Sequence, residues 1–250
     1  MTSDQSTAAA APAALGTTAL STTGLPRLQL ANGSLEALKW LGLVLMVGDH
    51  VNKYLLHDSV PALFNAGRIV MPIFAVVLAY NLARPGTLAS GGYARVLTRL
   101  AVVAAVSSVP FIALGGLGWG WWPLNVMTGL GLVVAALWLF ELGGSWRVSS
   151  GVALLVLGGF FVEFWWALLA IAVAAWLYAR RPGWSALGLA AIGFASLHLV
   201  NRNEWALLAL PLIVLASLVD LRTPRVRWAF YAFYPLHLAA IWAVRSLVMG

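Results

Sequence analysis

The chain of 250 residues is 62% hydrophobic and only 9% charged, and its mean hydropathy is +0.89. A soluble domain of this size could not cover its surface with so few polar residues, so the composition predicts a polytopic membrane protein. The formal net charge of +7 comes mainly from arginines in short gaps between apolar runs, which is typical of topology signals and not of a nucleic-acid-binding stripe. The absence of cysteine excludes a thiol nucleophile, a disulfide framework and a cysteine-based zinc site.

The first 30 residues are rich in Ala, Ser and Thr. This segment lacks the basic start and short apolar core of a cleaved signal peptide. We expect a disordered cytoplasmic tail over residues 1–30, followed by a single transmembrane domain over residues 31–250.

Beyond this tail, apolar runs follow one another almost without interruption. A transmembrane helix needs roughly 17 to 25 mainly apolar residues. The candidate spans are 35–56, 61–83, 93–114, 124–142, 148–162, 164–180, 184–200, 203–220 and 227–248. The sequence therefore predicts an all-α bundle of about nine transmembrane helices, in which the short fifth and sixth spans could form a re-entrant pair.

The basic residues are distributed unequally between the two sides of this predicted bundle. One set of gaps holds Arg27, Arg84, Arg95, Arg99, Arg147, Arg180, Arg181, Arg222, Arg225 and Arg227. The other set holds Lys53, Arg68, Arg202 and Arg245. Because positive charge is retained on the cytoplasmic side, this asymmetry predicts a cytoplasmic N-terminus.

Five polar residues from different spans are predicted at a similar depth. At about 1.5 Å per residue, Asp49 and His50 lie in the outer half of the bilayer. Arg68, Asn125 and His237 fall close to the same level. An ionised side chain at a helix centre costs about 2.5 to 3.5 kcal/mol on insertion scales, so such groups usually face a cavity or one another. We interpret this level as a candidate site.

Adjacent residues on a helix point about 100° apart, so Asp49 and His50 cannot form a mutual pair on one face. Asp49 is better matched to Arg68 as an ion pair, which leaves His50 available for chemistry. The alternative is that the Asp49–Arg68 pair only fixes the register of two helices. For His198 the alternative is a hydrogen-bonded packing residue.

Five sequence blocks carry a resemblance to a known family. In chain order they are LKWLGLVLMVGDHVNKYLL, GRIVMPIFAVVLAYNLARPG, YARVLTRL leading into VSSVPF, PLNVMTGLGLVVAALWLFE and WAFYAFYPLHLAAIW. Together they resemble the TraX family of conjugal-transfer membrane proteins, from Leu35 to Ala243 and most weakly between 143 and 220. The motifs GDH, GR-x-x-x-P-x-F and FYPLH are specific in combination.

The resemblance implies an acyltransferase-like domain in a bacterial inner membrane. Members of the family are associated with N-terminal acetylation of the pilin subunit of conjugative pili, with acetyl-CoA as the acyl donor and no metal. The implied partners are pilin and membrane lipid, and no nucleic acid. The matching positions are Asp49, His50, Arg68, Pro72, Asn125, Tyr234, Pro235 and His237. The chain departs from the expected pattern at Ala167, where the family pattern leads us to expect Gly.

Acetylation of an amine requires removal of its proton and stabilisation of a tetrahedral oxyanion. A neutral His suits the first task or can itself carry the acyl group, so we predict His50 as general base or acyl acceptor. The predicted catalytic residues are His50, Asp49, Arg68 and His237, and the predicted substrate-binding residues are Asn125 and Tyr234. Arg84, Arg95 and Arg99 are candidates to bind the donor's phosphates, because guanidinium groups match phosphate oxygens. Topology signals are the alternative for these three arginines.

Two other function classes are compatible with the same residues. Asp, His and Arg at mid-membrane are typical of a proton-coupled small-solute transporter, although the chain shows no evident inverted repeat. A non-catalytic pilus assembly factor is the third hypothesis, and it predicts that His50 can be replaced without loss of function.

Overall fold

The computed structural model describes residues 23–118, 122–226 and 228–249, and no strand is formed among them. The helices are α1 (Asn32–Tyr54), α2 (Pro61–Gly67), α3 (Val70–Leu82), α4 (Gly92–Ala113), α5 (Val126–Leu142), α6 (Ser145–Gly158), α7 (Trp165–Arg180), α8 (Trp184–Asn201), α9 (Ala209–Leu218) and α10 (Ala229–Met249). Short 3-10 helices at Gly159–Phe161 and Trp205–Leu208 follow α6 and precede α9. The predicted all-α fold class is confirmed.

Within the part of the chain that the structure describes, three helical stretches are long and apolar enough to cross a membrane by length and composition. They are Pro61–Leu82, Gly92–Ala113 and Trp184–Asn201. Shorter apolar helices cover Val126–Leu142, Ser145–Phe161, Trp165–Arg180 and Trp205–Leu218. These elements, with α1 and α10, coincide with the apolar runs predicted from the sequence, and they indicate a membrane protein.

Successive spans alternate in direction, with α2 and α3 forming one span, so their connections gather at two ends of the bundle. At one end Arg84 Nη1 donates to Asn32 Oδ1 at 2.8 Å, and Arg180 forms an ion pair with Glu141. We call this the basic end, because it holds the arginine-rich connections predicted from the sequence; Arg227 lies outside the described residues. At the opposite end Arg245 Nη1 donates to the Leu114 carbonyl at 3.0 Å.

The fifth and sixth predicted spans run between these two ends. The chain starts α6 beside the basic end, and after α6 the Phe161 carbonyl accepts from Leu124 N at 2.8 Å at the opposite end. Helix α7 then returns to the Arg180–Glu141 pair. The suggested re-entrant pair is therefore not formed, since both segments traverse the bundle.

The second predicted span is interrupted at Arg68, between α2 and α3. Pro72 causes this break, because it lacks the N–H group that would bond to the Arg68 carbonyl. Arg68 Nε instead donates to the Phe64 carbonyl at 3.1 Å. The interruption places a charged side chain at the inner surface of the bundle.

A disordered tail was predicted over residues 1–30, and residues 1–22 of this segment lie outside the described residues. Its described end, 23–30, differs from that expectation because it packs against the bundle. Tyr178 OH donates to the Pro26 carbonyl at 2.7 Å, and Leu30 N donates to Tyr80 OH at 3.0 Å. The packed part of the chain thus begins before residue 31.

The core lies where α3 and α7 cross. Ala75, Ala79 and Ala172 are fully buried there. Small side chains let helix backbones approach closely, which is the usual packing of helices in membranes. The remaining helices surround this pair and leave a cavity between α1, α3, α5 and α10.

Candidate active site

A cavity of about 390 Å³ extends into the bundle from the opposite end. Its polar lining residues are Asp49, His50, Lys53, Asp58, Arg68 and Glu163. Its apolar lining residues include Leu43, Met46, Phe74, Leu130 and Phe230. Charged groups and an apolar recess therefore share one enclosed space, which is the usual character of a small-molecule or peptide site.

The predicted ion pair between Asp49 and Arg68 is confirmed. Arg68 Nη2 lies 2.6 Å from Asp49 Oδ1, and the two side chains are only 15% and 16% exposed. Gly67 permits this approach, since a Cβ atom at that position would lie 2.5 Å from Asp49 Cβ. The Gly-Arg dipeptide thus supplies both the space and the charge for Asp49.

His50 and His237 lie side by side, although 187 residues separate them in the chain. His50 Nδ1 is 2.7 Å from His237 Nε2, and the two rings are inclined by only 3°. His237 Nδ1 lies 2.9 Å from the Phe233 carbonyl oxygen. The structure brings the two predicted catalytic histidines into one hydrogen-bonded chain.

The Phe233 carbonyl fixes the direction of this chain. A carbonyl oxygen can only accept, so Nδ1 of His237 carries a proton. In a neutral pair, Nε2 of His237 then accepts from the Nδ1–H group of His50. Nε2 of His50 retains its lone pair, and no partner for it occurs among the described residues. His50 lines the cavity, so this nitrogen is the basic atom available to a bound ligand.

Tyr234 lines the same cavity and is 2% exposed. Its ring centroid lies 5.5 Å from that of His237, one turn later on α10. Tyr234 thus lies beside the histidine pair, and its predicted contact with substrate stays a prediction. Its hydroxyl group is a potential hydrogen-bond donor to a ligand.

Asn125 was expected to donate to a substrate or oxyanion, and the structure gives it a different role. Its Oδ1 accepts from Met127 N at 3.1 Å and Thr128 N at 3.3 Å, which caps α5. Its Nδ2 donates to the Ala104 carbonyl at 2.9 Å and Ser108 Oγ at 3.0 Å. These bonds use both amide hydrogens, and Asn125 is not among the described lining residues. A substrate contact by Asn125 stays a prediction, and these four bonds are the contacts that it would have to exchange.

The three arginines predicted to bind phosphate lie at the basic end and do not line the cavity. Arg84 contacts Asn32 and lies 5.4 Å from the Tyr80 ring, and Arg95 occupies the first turn of α4. Arg99 precedes the cavity residue Phe111 by twelve residues on α4, which corresponds to about 18 Å. These arginines can therefore bind the donor's phosphates only if the donor reaches the basic end.

Lys53 and Glu163 line the cavity but were not predicted as site residues. Lys53 follows Asp49 by four residues, so the helical spacing places both on one face of α1 and could have predicted Lys53 as a cavity residue. Glu163 Oε2 accepts from Val126 N at 2.7 Å across 37 residues, a contact that no local pattern encodes. Burial raises the pKa of the Glu163 carboxyl, which lies in the connection between α6 and α7, to about 6. Within the described residues, no group of three or more metal-ligating side chains is found.

Comparisons with known proteins address the whole of this bundle. The TraX protein family model matches residues 34–245. The chain is 28% identical to Protein TraX of Escherichia coli strain K12 over 221 residues, which cover 84% of this chain and 86% of that protein. A second Protein TraX from Escherichia coli is 28% identical over 222 residues, with the same coverage. No solved structure matches. Because the family model covers nearly all of the described bundle, this chain belongs to the TraX family.

Proposed function

We propose that this protein is a membrane-embedded acyltransferase that moves an acetyl group from acetyl-CoA to the N-terminal amine of a conjugative pilin subunit. The observation that carries this proposal is the His50–His237 pair at 2.7 Å, in which His50 lines the cavity. Membership of the TraX family, with its implied role in pilin maturation, supports the same function.

His50 Nε2 has two possible roles in this transfer. As a general base it accepts a proton from the attacking amine and returns that proton to the departing thiolate. As an acyl acceptor it attacks the thioester carbonyl first, and the amine then displaces the imidazole. In both cases a C–N bond replaces the C–S bond, and the amine proton ends on the thiol of coenzyme A.

His237 disperses the positive charge that forms on His50. When Nε2 of His50 gains a proton, its Nδ1–H group still donates to Nε2 of His237. The Phe233 carbonyl oxygen accepts from the far nitrogen of His237, so it faces the developing charge with a negative dipole. His237 is therefore a positioning and charge-relay residue, and His50 is the reacting one.

Tyr234 and Lys53 are the donors that we propose for the oxyanion. Both line the cavity that His50 faces. Lys53 Nζ lies 5.0 Å from the centre of the Tyr54 ring. Donors fixed in a cavity stabilise developing charge without reorganisation. Arg68 is committed to Asp49 and to the Phe64 carbonyl, so we assign it to holding the site together.

The proposed topology has nine transmembrane spans in a bacterial inner membrane, with the N-terminus and the basic end in the cytoplasm. Acetyl-CoA is a cytoplasmic donor, so its phosphates approach the basic end, where Arg84, Arg95 and Arg99 lie. The acceptor amine approaches from the opposite end, where Asp58 and Glu163 line the cavity. The two substrates meet at His50.

The test is mass spectrometry of pilin recovered from membranes that contain the protein, its His50→Ala variant or neither. We expect a mass gain of one acetyl group that requires both the protein and His50. The matched control is His198→Ala, because His198 is exposed on α8 and does not line this cavity. Acetylation that needs the protein but not His50 would contradict the role of His50, and equal acetylation in all three membranes would favour a non-catalytic assembly factor. Solute uptake driven by a pH gradient, without acetylation, would favour the transporter.

A further inference from the structure

The apolar recess of the cavity points toward the basic end. Leu43 precedes His50 by seven residues on α1, and Phe230 precedes His237 by seven residues on α10. Seven helical residues correspond to about 10 Å. The recess therefore extends roughly two helical turns beyond the histidine pair, away from the polar mouth.

Phe230 lines this recess and also contacts a cation. Lys39 Nζ lies 4.3 Å from the Phe230 ring centroid, and the Trp40 ring lies 5.2 Å from it. Lys39 precedes Leu43 by four residues, so both lie on the α1 face that continues to Met46 and His50. The Phe230 ring thus contacts Lys39 and lines the recess.

A cluster of cations and aromatic rings surrounds this point at the basic end. The Arg99 guanidinium carbon lies 4.9 Å from the Trp228 ring and 5.6 Å from the Tyr231 ring. Glu36 Oε1 lies 2.6 Å from Lys39 Nζ and 3.9 Å from Arg225 Nε. The described ionised side chains of the cluster are three cations and one carboxylate, so the cluster favours an anion.

We infer that the start of α10 closes a second entrance to the cavity, at Phe230, and that the cation cluster binds the phosphates of the acyl donor there. This inference rests on the proposed function, and it names the donor's route. From Lys39 to His50 is eleven residues, or about 16 Å along α1. A donor must therefore place a long uncharged arm between its phosphates and its reactive carbonyl, and the apolar recess fits such an arm.

Cysteine labelling tests the entrance without measuring acyl transfer. The chain has no cysteine, so Met46→Cys places a single thiol in the recess. The full-length protein is reconstituted in lipid vesicles and treated with a membrane-impermeant maleimide from each side. Ser145→Cys at the basic end and Ser59→Cys at the opposite end, both exposed, report which side the reagent reaches.

Adding Phe230→Ala should raise the labelling rate of the Met46→Cys thiol from the basic-end side at least about fivefold, because the Phe230 ring is removed. Phe160→Ala, which removes an exposed ring at the opposite end, should not change that rate. Phe230→Trp should slow the labelling from the basic-end side. This second variant tests the entrance if Phe230→Ala does not fold. No labelling from the basic-end side after Phe230→Ala, with Ser145→Cys labelled normally, would overturn the entrance.

Protection by coenzyme A tests the ligand. Desulfo-coenzyme A, which has no thiol to react with the maleimide, should slow labelling of the Met46→Cys thiol in the Phe230→Ala background when it is added on the basic-end side, because its arm fills the recess. Lys39→Gln and Arg99→Gln should raise the concentration needed by about tenfold or more, since each removes a charge-assisted contact. Arg147→Gln is the control, because Arg147 is exposed at the same end, and this variant should leave the required concentration unchanged. Labelling without protection would overturn the phosphate assignment.

These outcomes separate the two proposals. Labelling and protection without any pilin acetylation would support the entrance and contradict the proposed transfer. Acetylation without labelling from the basic-end side would support the transfer and contradict the entrance.

Discussion

The hydrogen bond between His237 and the Phe233 carbonyl determines which nitrogen of His50 is presented to a ligand. Replacing His237 by Phe removes the acceptor for His50 Nδ1–H and leaves its tautomer unfixed. We expect kcat for acetyl transfer to fall about 10²-fold, with KM for the donor nearly unchanged. Tyr231→Phe on the same helix is the control. A change confined to KM would contradict a role in the chemical step.

Gly67 provides a stability test of the Asp49–Arg68 pair. A Cβ at position 67 would lie 2.5 Å from Asp49, so Gly67→Ala must displace this carboxylate. We expect a loss of about 1 to 3 kcal/mol, measured as a lower melting temperature in detergent. Gly188→Ala on α8 is the matched control, because a Cβ there meets nothing within 4 Å. Equal melting temperatures for the two variants would show that Asp49 can move freely.

The sequence predicted part of this site for a physical reason. An unpaired charge in an apolar span is costly, so Asp49 and Arg68 were expected to form an ion pair with each other. For Asn125 the sequence left two roles open, because its depth is compatible with both a substrate contact and a helix cap. The structure adds contacts that the sequence does not display, since the Ala104 carbonyl and the Ser108 hydroxyl on α4 accept from the Asn125 amide.

Glu163 links two elements, since its carboxylate accepts from the first residue of α5. Burial raises its pKa from 4.5 to about 6. The folded pKa lies above the unfolded one, so this carboxyl favours folding at low pH, and that contribution is lost as the pH rises through about 6.

Glu163→Gln keeps an oxygen for Val126 N and removes the buried charge. We therefore expect the variant to be more stable than the natural protein at pH 8 by about 2 kcal/mol, with no difference near pH 4. Thermal unfolding in detergent at the two pH values measures this. The exposed Glu204→Gln should change stability little at either pH. A destabilised Glu163→Gln at pH 8 would show that the ionised form is the one the fold prefers.

Helix positions were well predicted because each apolar run is long and ends at a polar or glycine-rich gap. Two details at this scale needed the structure. The break at Arg68 depends on Pro72, which the sequence displays but which a hydropathy window does not register. The packing of 23–30 depends on Tyr80 and Tyr178, whose hydroxyl groups bond to that segment from distant helices.

At the scale of the whole molecule, the arginine distribution in the sequence predicted a basic end. The structure has this end, because the alternating spans bring the arginine-rich connections together opposite the polar mouth of the cavity. The recess above Phe230 was not predictable from sequence, because the Lys39–Phe230 contact joins helices at opposite ends of the chain. The histidine pair joins the same two helices, α1 and α10. The closing of α10 against α1 therefore forms the proposed catalytic pair and the proposed entrance together.

The central claim is that His50 is the reacting group of an acetyl transfer. The most direct measurement combines purified protein in lipid vesicles, acetyl-CoA with an isotopically labelled acetyl group, and a peptide with the pilin N-terminus. Labelled peptide should form with the natural protein and with His198→Ala, and the rate should fall at least about 10²-fold in His50→Ala. Equal rates for His50→Ala and the natural protein, both above the protein-free background, would contradict the claim.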